Sequence, residues 1–96
     1  LITCCDMRFC TDNSVFSIKE IEIGLTADIG VLQRMGRLVG NNSTFKKVSF
    51  TGENFNGKAA YELGLVSQSF KSSNEMNDYV NNLAKLISSK SPIVLY

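Results

Sequence analysis

The apolar and polar positions of the chain change period several times, and each change predicts an element. From Glu20 to Leu25 the alternation is strict, with Ile21, Ile23 and Leu25 set against Glu20, Glu22 and Gly24, and that period alone predicts a half-buried strand. Between Ile29 and Val39 the apolar positions Ile29, Leu32, Met35 and Val39 recur at helical spacing, with Gly40 suited to the C′ position. A second helix is predicted from Ser43 or Thr44 to about Thr51, with Phe45, Val48 and Phe50 on its apolar side and Lys46 and Lys47 solvated. Asn56 can cap a short helix containing Ala59, Ala60 and Leu63, which Gly64 would end. The spacing of Ser72 and Glu75 is that of a capping box. It introduces the most regular helix, whose stripe of Met76, Val80, Leu83, Ala84 and Ile87 is expected to be core or subunit interface.

The remaining segments are shorter. Leu1 to Cys5 reads as the last turn of a buried helix, Met7 to Thr11 as a strand and Asp12-Asn13-Ser14 as a turn whose side chains can bond their own backbone. Val15 to Ile18 is a second strand, forming either a hairpin with the first or a successive turn of a coil, and Leu65 to Phe70 is an edge-like strand. Ser91 and Pro92 suit the N-cap and N1 of a further helix running on through Tyr96. The expected class is α/β, helix-rich with short strands, in one domain over 1–96.

Composition narrows the chemistry. A chain of 96 residues with 44% hydrophobic content supports one modest core. A net charge of +1 with dispersed lysines and arginines leaves no electrostatic footprint for nucleic acid, and no apolar run approaches the roughly 20 residues of a membrane span. Cys4, Cys5 and Cys10 are odd in number and crowded, which predicts buried thiols in a reducing compartment rather than disulfides. With no histidine, neither Ser-His nor Cys-His catalysis is available in this segment, and no zinc site is expected. Acid–base work must fall to carboxylates. Two sequons overlap at Asn41 to Thr44, a pattern short enough to arise by chance.

The carboxylates that draw attention are Glu20 and Asp28, eight positions apart among apolar residues, with Gly24 and Gly30 permitting bends between and beyond them. Desolvation beside Ile18, Ile21, Ile23 or Ile29 would raise a carboxyl pKa towards neutrality and make proton exchange feasible. The plainer reading stands beside it: Asp28 as an N-cap for the helix that follows, and Glu20, next to Lys19, as a solvated charge.

The run Lys19 to Gly30, followed by Leu32-Gln33-Arg34, resembles the active-site region of the crotonase (enoyl-CoA hydratase/isomerase) superfamily, and within it the dienoyl-CoA isomerase branch. Further similarity lies in Cys5 to Cys10, Gly64 to Ser67 and Ser88 to Pro92, so it covers nearly the whole chain. The resemblance implies part of a ClpP-like ββα spiral fold, lacking the N-terminal half and the C-terminal helices. It implies a short helical turn at Glu20, against the strand that the alternation predicts. It also implies an acyl-CoA substrate with no cofactor, assembly into homotrimers or homohexamers, and a mitochondrial or peroxisomal matrix location. Glu20 would be the acid shared with hydratases, and Asp28, where hydratases typically carry glycine, the second acid of an isomerase acting on 3,5-dienoyl-CoA. Enoyl-CoA hydratase and a non-catalytic crotonase-fold binding module are the rival readings.

Overall fold

A computed structural model describes residues 1–95. Its elements in chain order are a 3₁₀ turn Ile2–Cys4, β1 (Phe9–Thr11), β2 (Val15–Phe16), a 3₁₀ turn Glu20–Ile23, α1 (Val31–Leu38), α2 (Asn42–Thr51), β3 (Phe55–Asn56), α3 (Gly57–Leu63), β4 (Gln68–Phe70), α4 (Ser73–Ser88) and a 3₁₀ turn Pro92–Leu95. The helix expected after Pro92 is thus a 3₁₀ turn as far as Leu95, and its extension to Tyr96 lies outside the described residues.

The two early strands do not pair with each other. β1 runs parallel to β4, Phe9 opposite Gln68 and Thr11 opposite Phe70, while β2 runs antiparallel to β3, Val15 opposite Asn56 and Phe16 opposite Phe55. Of the two arrangements open from the sequence, successive turns of a coil is the one formed. The Asp12-Asn13 turn separates the strands, and the Ser14 hydroxyl accepts from the Thr11 N–H at 3.2 Å. Gly57 joins the layers: its N–H donates to the Asp12 carbonyl at 3.1 Å, and a Cβ there would collide with the Thr11 carbonyl oxygen. Only glycine allows α3 to start so close to β1.

One core forms from Cys10, Ile18, Met35, Val39, Phe45, Val48, Ala60, Leu63, Leu65 and Val66, with Phe16, Ala27, Val31 and Phe55 packed on it. α2 turns Phe45 and Val48 inward as expected, but Phe50 outward. Its N-cap is Asn41, whose Oδ1 accepts from the Thr44 N–H at 3.0 Å, and this gives the first sequon residue a structural role. α3 is capped by Asn56, accepting from Ala59 at 2.9 Å, and α4 by Ser72, accepting from Glu75 at 3.2 Å, both as the sequence predicts.

Several expectations need correction. α1 begins at Val31 rather than Ile29, because Ile29 and Gly30 have φ of +51° and +76°. Its C-cap is the extended Val39, which leaves Gly40 at C′ as expected, although Gly40 is not among the glycines with positive φ. The Leu1 to Cys5 segment is a 3₁₀ turn with no buried residue, and only Cys10 of the three thiols is buried, Cys4 and Cys5 being exposed. Of the two roles expected for the α4 stripe, core is not the one formed, since no residue of α4 is buried, and Met76, Val80, Leu83 and Ile87 are partly covered. Instead Tyr79 anchors α4, its ring 5.5 Å from Phe9 and 5.1 Å from Phe70, across β1 and β4. Consistent with this open packing, the radius of gyration is 15.1 Å, against about 12.5 Å for a compact chain of this length.

Candidate active site

Glu20 and Asp28 stand at opposite ends of one connection between β2 and α1. Alternation had predicted a strand at Glu20 to Leu25; the backbone forms a 3₁₀ turn, ended by Gly24 at φ +73°. A 3₁₀ turn advances about 120° per residue, so Glu20 and Glu22 leave it in different directions, whereas a strand would have put them on one face. Glu22 faces outward and meets Lys19 at 2.7 Å, and Lys19 also donates to the Gly52 carbonyl at 2.7 Å. Lys19 is therefore held by Glu22 and Gly52 and is not the partner of Glu20.

Glu20 is half-buried and lines a cavity of about 130 Å³ whose other walls include Phe16, Ile18, Val31, Met35, Phe55 and Leu65. A carboxylate at the edge of such an apolar wall can meet a hydrocarbon chain and exchange a proton with it, which a carboxylate free in water cannot do with comparable alignment. Ile18 and Met35, both buried, belong to the apolar lining of that cavity.

Asp28 is placed differently. It is exposed, it is not among the residues lining that cavity, and it is not the cap of α1, whose N-cap is Gly30 without a side-chain bond. The expectation of an N-cap is therefore corrected: the left-handed pair Ile29 and Gly30 turns the chain between Asp28 and the helix. The Asp28 main chain does take part, its carbonyl accepting from the Val31 N–H at 3.0 Å. Among the described residues no hydrogen bond or ion pair occupies the Asp28 carboxylate, and desolvation by the neighbouring isoleucines does not occur at an exposed position.

Two arginines that no sequence pattern singled out brace the backbone of this region. Arg34 reaches back from α1, its Nη2 donating to the Ile29 carbonyl and its Nε donating to Thr3 Oγ1 at 3.2 Å. Arg8 donates through Nε to the Leu65 carbonyl at 2.6 Å and through Nη1 to the Cys5 carbonyl, fixing the chain between the N-terminal turn and β1. The signal for Arg34 would have been a helical cation one turn beyond a glycine, which is too common to single out. Among the described residues, no cluster of three or more His, Cys, Asp or Glu side chains could hold a metal ion.

Known proteins match this chain over nearly its whole length. A family model described as enoyl-CoA hydratase/isomerase matches residues 1–96. The mitochondrial Δ(3,5)-Δ(2,4)-dienoyl-CoA isomerase of Rattus norvegicus is 40% identical over 95 residues, covering 99% of this chain and 29% of that protein. The peroxisomal Δ(3,5)-Δ(2,4)-dienoyl-CoA isomerase of Arabidopsis thaliana is also 40% identical, covering 99% of this chain and 34% of its own length. Among solved structures, the enoyl-CoA hydratase of Mycobacterium tuberculosis H37Rv superposes with a TM-score of 0.83 at 28% identity, over 94% of this chain and 35% of that one. The chain thus spans about a third of the length of the relatives it matches.

Proposed function

The chain belongs to the enoyl-CoA hydratase/isomerase family, and from that premise we propose that the full-length protein converts 3,5-dienoyl-CoA to 2,4-dienoyl-CoA by proton transfer between carboxylates. The observation that carries this reading is the pair of acids on one connection, Glu20 on the wall of an apolar cavity and Asp28 eight residues on with its carboxylate unengaged. The 40% identity to proteins named as dienoyl-CoA isomerases supports it.

In this mechanism Glu20, ionised, removes the C2 proton next to the thioester. The electron pair spreads through the diene and onto the thioester oxygen, where backbone N–H donors supplied by the rest of the protein stabilise it. Asp28, protonated, delivers a proton at C6, so the double bonds move from positions 3 and 5 to positions 2 and 4. Glu20 ends protonated and Asp28 ionised, and exchange with solvent restores both. The reaction is redox-neutral and the thioester itself is the electron sink, so its balance calls for no cofactor. An acyl-CoA substrate, a trimeric or hexameric assembly and a mitochondrial or peroxisomal matrix setting belong to the same proposal; the last follows the locations in the relatives' names.

One observation favours a second reading. Asp28 is exposed and lies outside the Glu20 cavity, which suits a hydratase in which Glu20 works with an acid from elsewhere in the protein. Turnover of 3,5-dienoyl-CoA compared with hydration of 2-enoyl-CoA by the full-length protein tests the assignment. Hydration without isomerisation would replace the isomerase reading by the hydratase one.

A further inference from the structure

Asp28, Ile29, Gly30 and Val31 form a turn closed by the Val31 N–H donating to the Asp28 carbonyl at 3.0 Å, with φ of +51° at Ile29 and +76° at Gly30. Two central residues at positive φ mark a primed turn, whose first central position is usually taken by asparagine, aspartate or glycine. A β-branched residue there is a backbone outlier, and Ile29 gains no burial in return, being 81% exposed. Such a conformation persists where its surroundings over-determine it, and it clusters where geometry serves function.

What over-determines it is the guanidinium of Arg34. Nη2 donates to the Ile29 carbonyl, and Nε donates to Thr3 Oγ1 at 3.2 Å. Gly30 makes the room, since a Cβ there would stand 2.5 Å from Nη1 and 2.8 Å from Cζ. Thr3 itself lines the Glu20 cavity. Arg34 therefore spans from the turn that carries Asp28 to the wall of the cavity that Glu20 faces, and its planar fork suits two acceptors in fixed directions better than an ammonium would.

We propose that Arg34 is a positioning residue that fixes the direction of Asp28 relative to the Glu20 cavity by holding the Ile29-Gly30 turn in its left-handed form. The inference rests on the reading in which Asp28 delivers the C6 proton. Once Glu20 has taken the C2 proton, the dienolate has two fates: reprotonation at C2, which returns substrate, or protonation at C6 by Asp28, which gives product. Loosening the turn misaligns Asp28 and leaves Glu20 untouched, so it shifts this partition towards return.

The test uses the full-length protein in deuterated water, comparing product formed with deuterium found at C2 of recovered substrate. Because both come from one sample, their ratio is independent of the fraction folded. Arg34→Met is expected to lower the ratio about 10–100-fold, the size of effect that a displacement of about 1 Å brings. Ile29→Gly added to Arg34→Met removes the backbone conflict and is expected to restore most of it. In an Asp28→Asn background, Arg34→Met is expected to change the ratio no further, as for two residues acting through one step. A lowered ratio in Asp28→Asn together with an unchanged ratio in Arg34→Met overturns this inference alone, as do additive losses in the double variant. An Asp28→Asn enzyme with undiminished isomerisation overturns the reading of the site and this inference with it.

Discussion

The Sγ of Cys10 lies 3.7 Å from the carbonyl oxygen of Gly57, and a Cβ at 57 would stand 3.0 Å from that sulfur and collide with the Thr11 carbonyl oxygen, so β1 and α3 meet with no room for a side chain between them. The contact explains why a glycine opens a helix here despite its poor helical propensity. Gly57→Ala would drive its Cβ into the Thr11 carbonyl, which is backbone paired to β4 and cannot give way cheaply. Overpacking of this kind costs about 1–3 kcal/mol, and a rigid neighbour places it at the upper end. Denaturant unfolding of the full-length variant should show a lowered midpoint; an unchanged midpoint would refute the close approach.

Cys10 also carries a pH response. Burial raises the Cys10 thiol above its ordinary value, and the charge of Asp12 adds in the same direction. A group whose folded pKa is raised binds its proton more tightly in the folded state. Its contribution to stability is then complete below the ordinary thiol pKa of 9.0 and is lost as pH rises through the raised value. The stability difference between the parent and Cys10→Ala should be flat below about pH 8 and narrow above about pH 9. A difference that stays flat to pH 10.5 would remove the buried thiol from the account.

The helix caps provide a calibration. Asn56 and Ser72 each satisfy one N–H in the first turn of their helices, and alanine at either should cost about 1 kcal/mol in thermal or denaturant unfolding. Asn41→Ala should behave alike, since its side chain also accepts from its helix. A loss well below about 0.5 kcal/mol at all three would mean that the caps are replaced by solvent.

Those caps were legible in the sequence because capping is a short-range rule: a polar residue and its partner lie within four positions of each other. The burial of Met35 in α1 was legible in the helical period for the same reason. What the sequence hid is long-range or conformational. Ile29 fits the apolar stripe of α1, yet its positive φ removes it from the helix, and no periodicity records a backbone sign. The strict alternation from Glu20 to Leu25 predicts a strand, but among the described residues no strand pairs with it, and Gly24 in the left-handed region closes a 3₁₀ turn instead. Tyr79 anchors α4 by aromatic contacts with two strands distant in sequence, while of the regular stripe Met76, Val80, Leu83 and Ile87 are only partly buried and Ala84 is exposed. Of the two candidate acids, spacing and resemblance found both, but only folded geometry distinguishes the cavity-facing Glu20 from the exposed Asp28.

Glu20→Gln keeps the size of the side chain and its place in the 3₁₀ turn, so folding should be nearly unchanged. It removes the carboxylate from the apolar cavity. Isomerisation of 3,5-dienoyl-CoA and any hydration of 2-enoyl-CoA should fall together by about 10²–10⁴-fold, as expected for loss of a general base. Retention of either activity near the parent level would place the working base elsewhere.

Asp28→Asn separates the two enzyme readings, and the geometry sharpens the test. Because Asp28 caps no helix, and its carbonyl rather than its carboxylate bonds to Val31, asparagine preserves every contact the described residues make at this position. Asparagine also tolerates turns as well as aspartate does, so the unfolding midpoint should move by less than the equivalent of about 0.5 kcal/mol. What the substitution removes is an exchangeable carboxyl proton. If Asp28 supplies the proton at C6, isomerisation should fall by about 10²–10⁴-fold while deuterium still enters C2 of recovered substrate, since Glu20 is intact. If Glu20 acts with an acid from elsewhere, hydration and isomerisation should both survive the change. A stable Asp28→Asn enzyme that isomerises 3,5-dienoyl-CoA at the parent rate would therefore withdraw Asp28 from the chemistry and place the C6 proton donor elsewhere in the protein, with Glu20 as the acid that the isomerase and hydratase readings share.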